Sequence, residues 1–280
     1  MGMLEDLKAE IDRKIIDVDL PSWDINKAFE WMDWYLQRMK KYGKLWYDSL
    51  YKDMDKYIKW VIPWKVYTIW AYSNVGKSRW SYWWVNHFLK MDKKVIFFSL
   101  EVDSWMVIKS LVQNYFDIPV SDLYDWYDIA KDSFENLQIY DDVYDLEMIE
   151  MIVKKNKPDF VFIDFIQNIQ TSWSREYEKM SKIAKALQRM AIVNKCSVFS
   201  LSQLSNEMGK NASQWNTDFV TLKWAWELFA SSDVIFLLSK AWDNLIVEIV
   251  KNKYGDTRRQ FEFEPAWDRS RFRFLWEYYG

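Results

Sequence analysis

Between residues 60 and 240, short apolar runs alternate with longer stretches in which apolar residues recur every three or four positions. The runs are VYTIWA (66–71), KVIFFSLE (94–101), DFVFIDF (159–165), SVFSLSQ (197–203) and DVIFLLS (233–239). Runs of this kind, with few polar interruptions, are the pattern of strands buried on both faces. Helical periodicity falls near 77–91, 103–116, 144–156 and 175–194. The alternation predicts an α/β fold whose central sheet is mostly parallel and covered by helices on both faces. Right-handed crossovers would then line up the strand C-termini along one edge, where ligands bind in such sheets. After residue 240 the pattern changes. NLIVEIVKNK (244–253), RRQFEFEP (258–265) and RFRFLWE (271–277) are extended segments joined by short turns, which predicts an antiparallel C-terminal extension.

Ahead of the alternation, DINKAFEWMDWYLQRMKK (24–41) has the spacing of an amphipathic helix that ends in a basic turn before Gly43. Residues 1–45 are too few for a rich core of their own. They are expected to form a helical arm or linker, packed on its own domain or on a neighbour. Residues 46–280 are expected to form one domain.

Composition narrows the classes. The chain has 280 residues, half of them apolar and 28% charged, which suits a folded soluble protein rather than a disordered one. No window reaches eighteen uninterrupted apolar residues, and the charged N-terminus lacks a signal-peptide core, so no membrane association is expected. The single cysteine, Cys196, rules out an internal disulfide framework and suits the cytoplasm. A net charge of −3 gives no global basic field, so contact with nucleic acid would have to come from local segments.

One pair of counts is out of line. There are 6 glycines and 19 tryptophans, whereas glycine ordinarily supplies roughly 7% of residues. Several tryptophans stand where the backbone would ask for glycine. Pro63-Trp64 precedes a strand in the place of a Pro-Gly turn, and Ala266-Trp267-Asp268 falls between two extended runs. Either many of these are UGA codons read as glycine in the native host, or the core is genuinely rich in tryptophan. Trp70, Trp80, Trp83 and Trp84 are compatible with both.

The first apolar run leads directly into Ala71-Tyr72-Ser73-Asn74-Val75-Gly76-Lys77-Ser78-Arg79 and then into a helical pattern. Strand, loop ending in Gly-Lys-Ser, then helix is the context of a phosphate-binding loop. Its backbone N–H groups would cradle phosphate oxygens, Lys77 would neutralise the β- and γ-phosphates, and Ser78 would bind Mg²⁺. Asp164, at the end of an apolar run, is placed to hold Mg²⁺ through water. Glu101 could polarise an attacking water, and Gln203 could sense the γ-phosphate. Each could instead be a polar cap at a strand end. All three on one edge beside a loop lysine point to ATP chemistry. Lys251 and Lys253 alternate on a predicted strand before the turn at Tyr254-Gly255 and could reach a phosphate across a subunit boundary.

These ordered motifs resemble the ATPase domain of the DnaB-type replicative helicases, within the RecA-like superfamily of phosphate-loop NTPases. Ala71 matches a variant common in that family's loop. FSLE (98–101) resembles the segment carrying the family's catalytic glutamate, FIDFIQ (162–167) its Walker B strand, and SLSQLS (200–205) its glutamine motif. LKWAWELFASSDVIFLL (222–238) resembles the stretch lining the DNA channel, with Trp224 and Trp226 on family glycines, which independently supports recoding. KNKYG (251–255) resembles the hairpin that acts in trans. The resemblance spans roughly 46–280 and leaves the family's separate N-terminal helical domain unmatched. It implies an ATP- and Mg²⁺-dependent helicase or translocase on single-stranded DNA. The partners it implies are sister subunits in a homo-hexamer and a primase or loader. Lys223, Trp224, Ala225 and Trp226 would meet the DNA. Lys253 stands where the family has its finger arginine, so that role falls to Lys253, Arg258 or Arg259. A recombination or repair ATPase of the same superfamily is an alternative, and so is a slow ATP-gated DNA-binding module.

Overall fold

The computed structural model describes residues 29–30, 32–33, 36–37, 47–58, 61–172, 175–204 and 223–279. The chain divides into two compact units, residues 1–45 and 46–280. In the first, the described positions are helical, in keeping with the amphipathic spacing, and Phe29, Met32 and Leu36 are exposed.

The second unit is built on one nine-stranded sheet. Its strands are β1 (Val66–Ala71), β2 (Val95–Ser99), β3 (Leu137–Tyr140), β4 (Phe160–Asp164) and β5 (Ser197–Gln203), then β6 (Val234–Ala241), β7 (Asn244–Asn252), β8 (Arg259–Ala266) and β9 (Arg271–Tyr279). The spatial order is β3-β2-β4-β5-β1-β6-β7-β8-β9. The first five pairings along that order are parallel, and β6 through β9 pair antiparallel. The expected parallel core and antiparallel extension are both present.

The helices are α1 (Lys52–Ile58), α2 (Lys77–Leu89), α3 (Ser104–Phe116), α4 (Tyr127–Ser133), α5 (Leu146–Asn156), α6 (Glu176–Asn194) and α7 (Lys223–Ser231). Because side chains alternate along a strand, each central strand feeds two cores. Tyr67, Ile69, Phe160 and Phe162 face one, which α2 and α3 cover with Trp80, Trp84, Phe88, Val107 and Leu111. Val66, Trp70, Val161 and Ile163 face the other, covered by Leu146 and Ile149 of α5 and by Met180, Ile183 and Leu187 of α6. The antiparallel strands pack Val247, Phe261, Phe263 and Phe272 on the α2 side. There Phe88 stacks on Phe160 with ring centroids 3.6 Å apart.

Register carries function to the sheet edge. Ala71 lies abreast of Gln203, and Ser99 abreast of Asp164. The ends of β1, β2, β4 and β5 therefore converge where the loop 72–76 begins.

Glycine scarcity shows in the backbone. Among the described residues, nine non-glycine positions have positive φ, and two are tryptophans. Trp64 has φ 62°, as the third residue of a Pro-Gly turn would. Trp242, with φ 57°, is the first central residue of the two-residue hairpin between β6 and β7, a place that favours glycine. The expectation at Trp267 is corrected. The left-handed residue before β9 is Ser270 (φ 51°), and Trp267 sits in a 3₁₀ turn, Trp267–Arg269.

Candidate functional site

The loop after β1 turns through Asn74 (φ 62°) and Gly76 (φ 104°) before α2 begins at Lys77. Gly76 is the residue of this loop that only glycine fills comfortably. A side chain there would be strained by the φ and would also bring a Cβ to 3.1 Å from Phe272 Cζ. With no acidic residue in its first turn, α2 points its N-terminal amides and their positive dipole end into an open cavity of about 650 Å³. Residues 72–79 line that cavity, together with Glu101, Val102, Gln203 and Trp267. Ala71, at the end of β1, is buried beneath it.

Lys77 is almost fully buried, with Nζ 3.3 Å from Asp164 Oδ1 and 4.5 Å from the centre of the Phe165 ring. Asp164 is itself only 2% exposed, and its Oδ1 accepts no hydrogen bond although the Lys77 ammonium faces it. This carboxylate has charge compensation but spare acceptor capacity. Such a donor set fits a Mg²⁺ ion whose bound water donates to Asp164, with the Ser78 hydroxyl on the cavity wall as a second ligand. Burial pushes the Tyr82 phenol well above its usual range, and the negative charges of Asp164 and Glu101 add to the effect.

Glu101 is exposed at the mouth of the cavity, two residues beyond β2. Gln203 donates from Nε2 to Ser73 Oγ at 2.6 Å, so the glutamine at the end of β5 already touches the loop after β1. The structure thus brings together Lys77, Ser78, Glu101, Asp164 and Gln203. It does not bring Lys251 or Lys253 to this cavity. Lys251 Nζ donates to the carbonyls of Phe229 and Ala230 at the end of α7, and Lys253 Nζ pairs with Asp233 Oδ1 at 3.0 Å. Burial, with the charge of Lys253 next, lowers the Lys251 ammonium to about 8. Arg258 and Arg259 line a separate open pocket with Gly255, Asp256 and Thr257.

Lys223, Trp224 and Ala225 open α7, and their side chains lie outside the described residues, as do Ser205 and the rest of 205–222. Trp226 is half exposed and stacks on Phe229 with ring centroids 5.8 Å apart.

Several residues of the site stand out only in the structure. Trp267 lines the cavity beside the loop after β1, with the Arg79 guanidinium 4.7 Å from its ring centre. Gln167 and Asn168, in the 3₁₀ turn Ile166–Asn168 after β4, reach the backbones of both neighbouring strand ends. Their positions follow from sheet order, which short-range patterning does not reveal. The run of two polar residues after a buried strand, Gln167-Asn168, was the available signal.

No match was found among curated protein sequences. Many solved structures share the fold, among them the following two. One is described as an ATPase domain, with a TM-score of 0.76, 19% identity, and 91% of this chain and 99% of that one covered. The other is described as a DnaB-like replicative helicase and its interactions with primase, with a TM-score of 0.73, 18% identity, and 97% and 71% covered. The profile of the DnaB-like helicase C terminal domain matches residues 47–244, a span that runs from the segment before α1 through the phosphate loop, the Asp164 strand and α7. The chain belongs to the DnaB-like helicase C-terminal domain family.

Proposed function

We propose that this chain hydrolyses ATP with Mg²⁺ and uses the cycle to move along single-stranded DNA as a homo-hexameric replicative helicase. The observation that carries the reading is the cavity in which Lys77, Ser78, Glu101 and Gln203 meet above the buried Asp164. Loop amides and the start of α2 bind the phosphate oxygens, and Lys77 moves from Asp164 toward the β- and γ-phosphates. Ser78, with Asp164 through water, would hold Mg²⁺, which would neutralise part of the phosphate charge. Glu101 accepts a proton from the attacking water as its oxygen bonds to the γ-phosphorus and the bond to the β-phosphate oxygen breaks. Gln203 distinguishes ATP from ADP through its contact with Ser73 and the γ-phosphate. Lys251 and Lys253, with Arg258 or Arg259, act on the site of the adjacent subunit. The start of α7, with Lys223, Trp224, Ala225 and Trp226, meets the DNA, its N-terminal amides suiting phosphate. A primase or loader is the expected further partner.

The test is strand separation on a forked duplex with ATP and Mg²⁺, alongside a size measurement in the same buffer. Separation by a species of six subunits is expected, and it should stop when a non-hydrolysable analogue replaces ATP. Separation that persists with the analogue, or a monomer under all conditions, would overturn the reading. A slow ATP-gated module is the second reading, favoured by the Lys253–Asp233 contact that holds the trans lysine within its own subunit. It predicts DNA binding that changes with nucleotide and no strand separation.

A further inference from the structure

We propose that the turn Ile166–Asn168 is a two-armed positioning device, in which Gln167 sets the nucleotide sensor Gln203 and Asn168 sets the strand end carrying Glu101. The proposal rests on the ATPase reading above. β4 stops at Asp164, abreast of Leu201, while β5 runs on to Gln203. The last backbone groups of β5 on the β4 side therefore have no strand to pair with. The Gln167 side chain takes that place. Its Nε2 donates to Gln203 O at 2.8 Å and to Ser202 Oγ at 2.9 Å, and its Oε1 accepts from Gln203 N at 3.3 Å. One amide thus holds both backbone groups of the sensor, leaving the Gln203 side chain to meet Ser73.

The other arm works on β2. Asn168 Nδ2 donates to Leu100 O at 2.7 Å, and Leu100 N donates to Asp164 O at 2.7 Å. The residue before Glu101 is pinned on both sides by the segment that carries Asp164. The turn is anchored in its own right, because Lys179 Nζ of α6 donates to Gln167 O at 2.7 Å. Asp164, Glu101 and Gln203 are therefore held in one frame by side chains that line none of the cavity. Gln167 and Asn168 are positioning residues, acting through Gln203 and Glu101.

Isosteric variants test this without removing volume. Asn168→Asp loses the donor to Leu100, and Gln167→Glu loses the donors to Gln203 and Ser202. Each is compared with wild type and Glu101→Gln for kcat, KM, and affinity for ATP analogue and ADP by nucleotide titration. Asn168→Asp is expected to lower kcat roughly tenfold to a hundredfold, the scale of an ångström-sized misplacement, with analogue affinity nearly unchanged. Gln167→Glu is expected to narrow the preference for analogue over ADP. If both variants keep wild-type kcat and preference while Glu101→Gln abolishes hydrolysis, the positioning role is overturned and the ATPase reading stands. A uniform fall of all parameters in step with melting temperature also overturns it, since that marks a structural role only. A wild-type protein that hydrolyses no ATP overturns both.

A second inference stands on the backbone alone. We infer that positions 64 and 242 are glycine in the protein made by its own host, through UGA read as glycine. Both tryptophans are held at positive φ in turns that take glycine, and Trp242 is 99% exposed, so its indole gains no packing there. The composition agrees, with 6 glycines against 19 tryptophans. The tests are the codons at both positions and the intact mass of the natively expressed protein. UGA at both, with a mass below that of the nineteen-tryptophan chain by at least two tryptophan-to-glycine differences, is expected. UGG at either position, or the full tryptophan mass, overturns it.

Discussion

Replacing Lys77 by methionine should unfold the nucleotide-free protein more easily, quite apart from abolishing nucleotide binding. The Lys77 and Asp164 side chains are 9% and 3% exposed and lie 3.3 Å apart. Asp164 Oδ1 has no hydrogen-bond donor to fall back on. Methionine keeps most of the aliphatic stem, so the loss is electrostatic: a buried carboxylate is left without its counter-charge. Breaking one side of a buried pair typically costs about 3–5 kcal/mol. The cavity above Lys77 is open to water, which relieves part of the penalty, so the lower end of that range, about 3 kcal/mol, is expected. The pair should also be non-additive. Combining Lys77→Met with Asp164→Asn removes the stranded charge, and the double variant should recover about 1–3 kcal/mol relative to the sum of the singles. Urea unfolding without nucleotide or Mg²⁺, at one fixed protein concentration, measures all four corners of the cycle. A Lys77→Met variant within about 1 kcal/mol of wild type, with additive effects, would refute the reasoning. For activity work the consequence is practical: Glu101→Gln, at an exposed position, is the cleaner inactive control.

Gly76→Ala should impair nucleotide binding, because φ 104° and Phe272 Cζ at 3.1 Å leave a Cβ no relaxed position; titration with a fluorescent ATP analogue would show at least a severalfold loss, and unchanged affinity would contradict it. Phe88→Ala empties the aromatic stack on Phe160 and should cost about 3–5 kcal/mol in urea unfolding. Lys251 gives a pH signature. Its folded value, near 8, lies below that of a free lysine, so between about 8 and 10 the unfolded chain binds more protons and stability rises with pH. Lys253 and Asp233 are the neighbouring charges, and Lys251→Met should flatten that rise.

The parallel core was legible because β1, β4 and β5 are buried on both faces and therefore read as uninterrupted apolar runs. The strand-end positions of the loop 72–79, Glu101, Asp164 and Gln203 were legible for the same reason, each lying where such a run stops. β3 was not. LQIY is four residues long at the sheet edge, with Gln138 exposed and none of its residues fully buried, and is too short to stand out. α4 is also short, at seven residues, with Ala130 its one buried side chain. Trp267 misled because a turn between two strands was expected to place its left-handed residue centrally, whereas the chain forms a 3₁₀ turn first and reverses at Ser270. Gln167 and Asn168 were illegible for a deeper reason. Their side-chain partners lie more than thirty residues away in sequence, and the gap that Gln167 fills exists only because β4 ends two residues before β5.

The central claim is that Glu101, Lys77, Asp164 and Gln203 form an ATPase coupled to DNA. Phosphate release by the wild-type chain and by Glu101→Gln, each with Mg²⁺ and with or without single-stranded DNA, tests it most directly. The account predicts hydrolysis that DNA accelerates in the wild type, and loss of hydrolysis with retained nucleotide binding in Glu101→Gln. A rate that ignores both DNA and the substitution would contradict it.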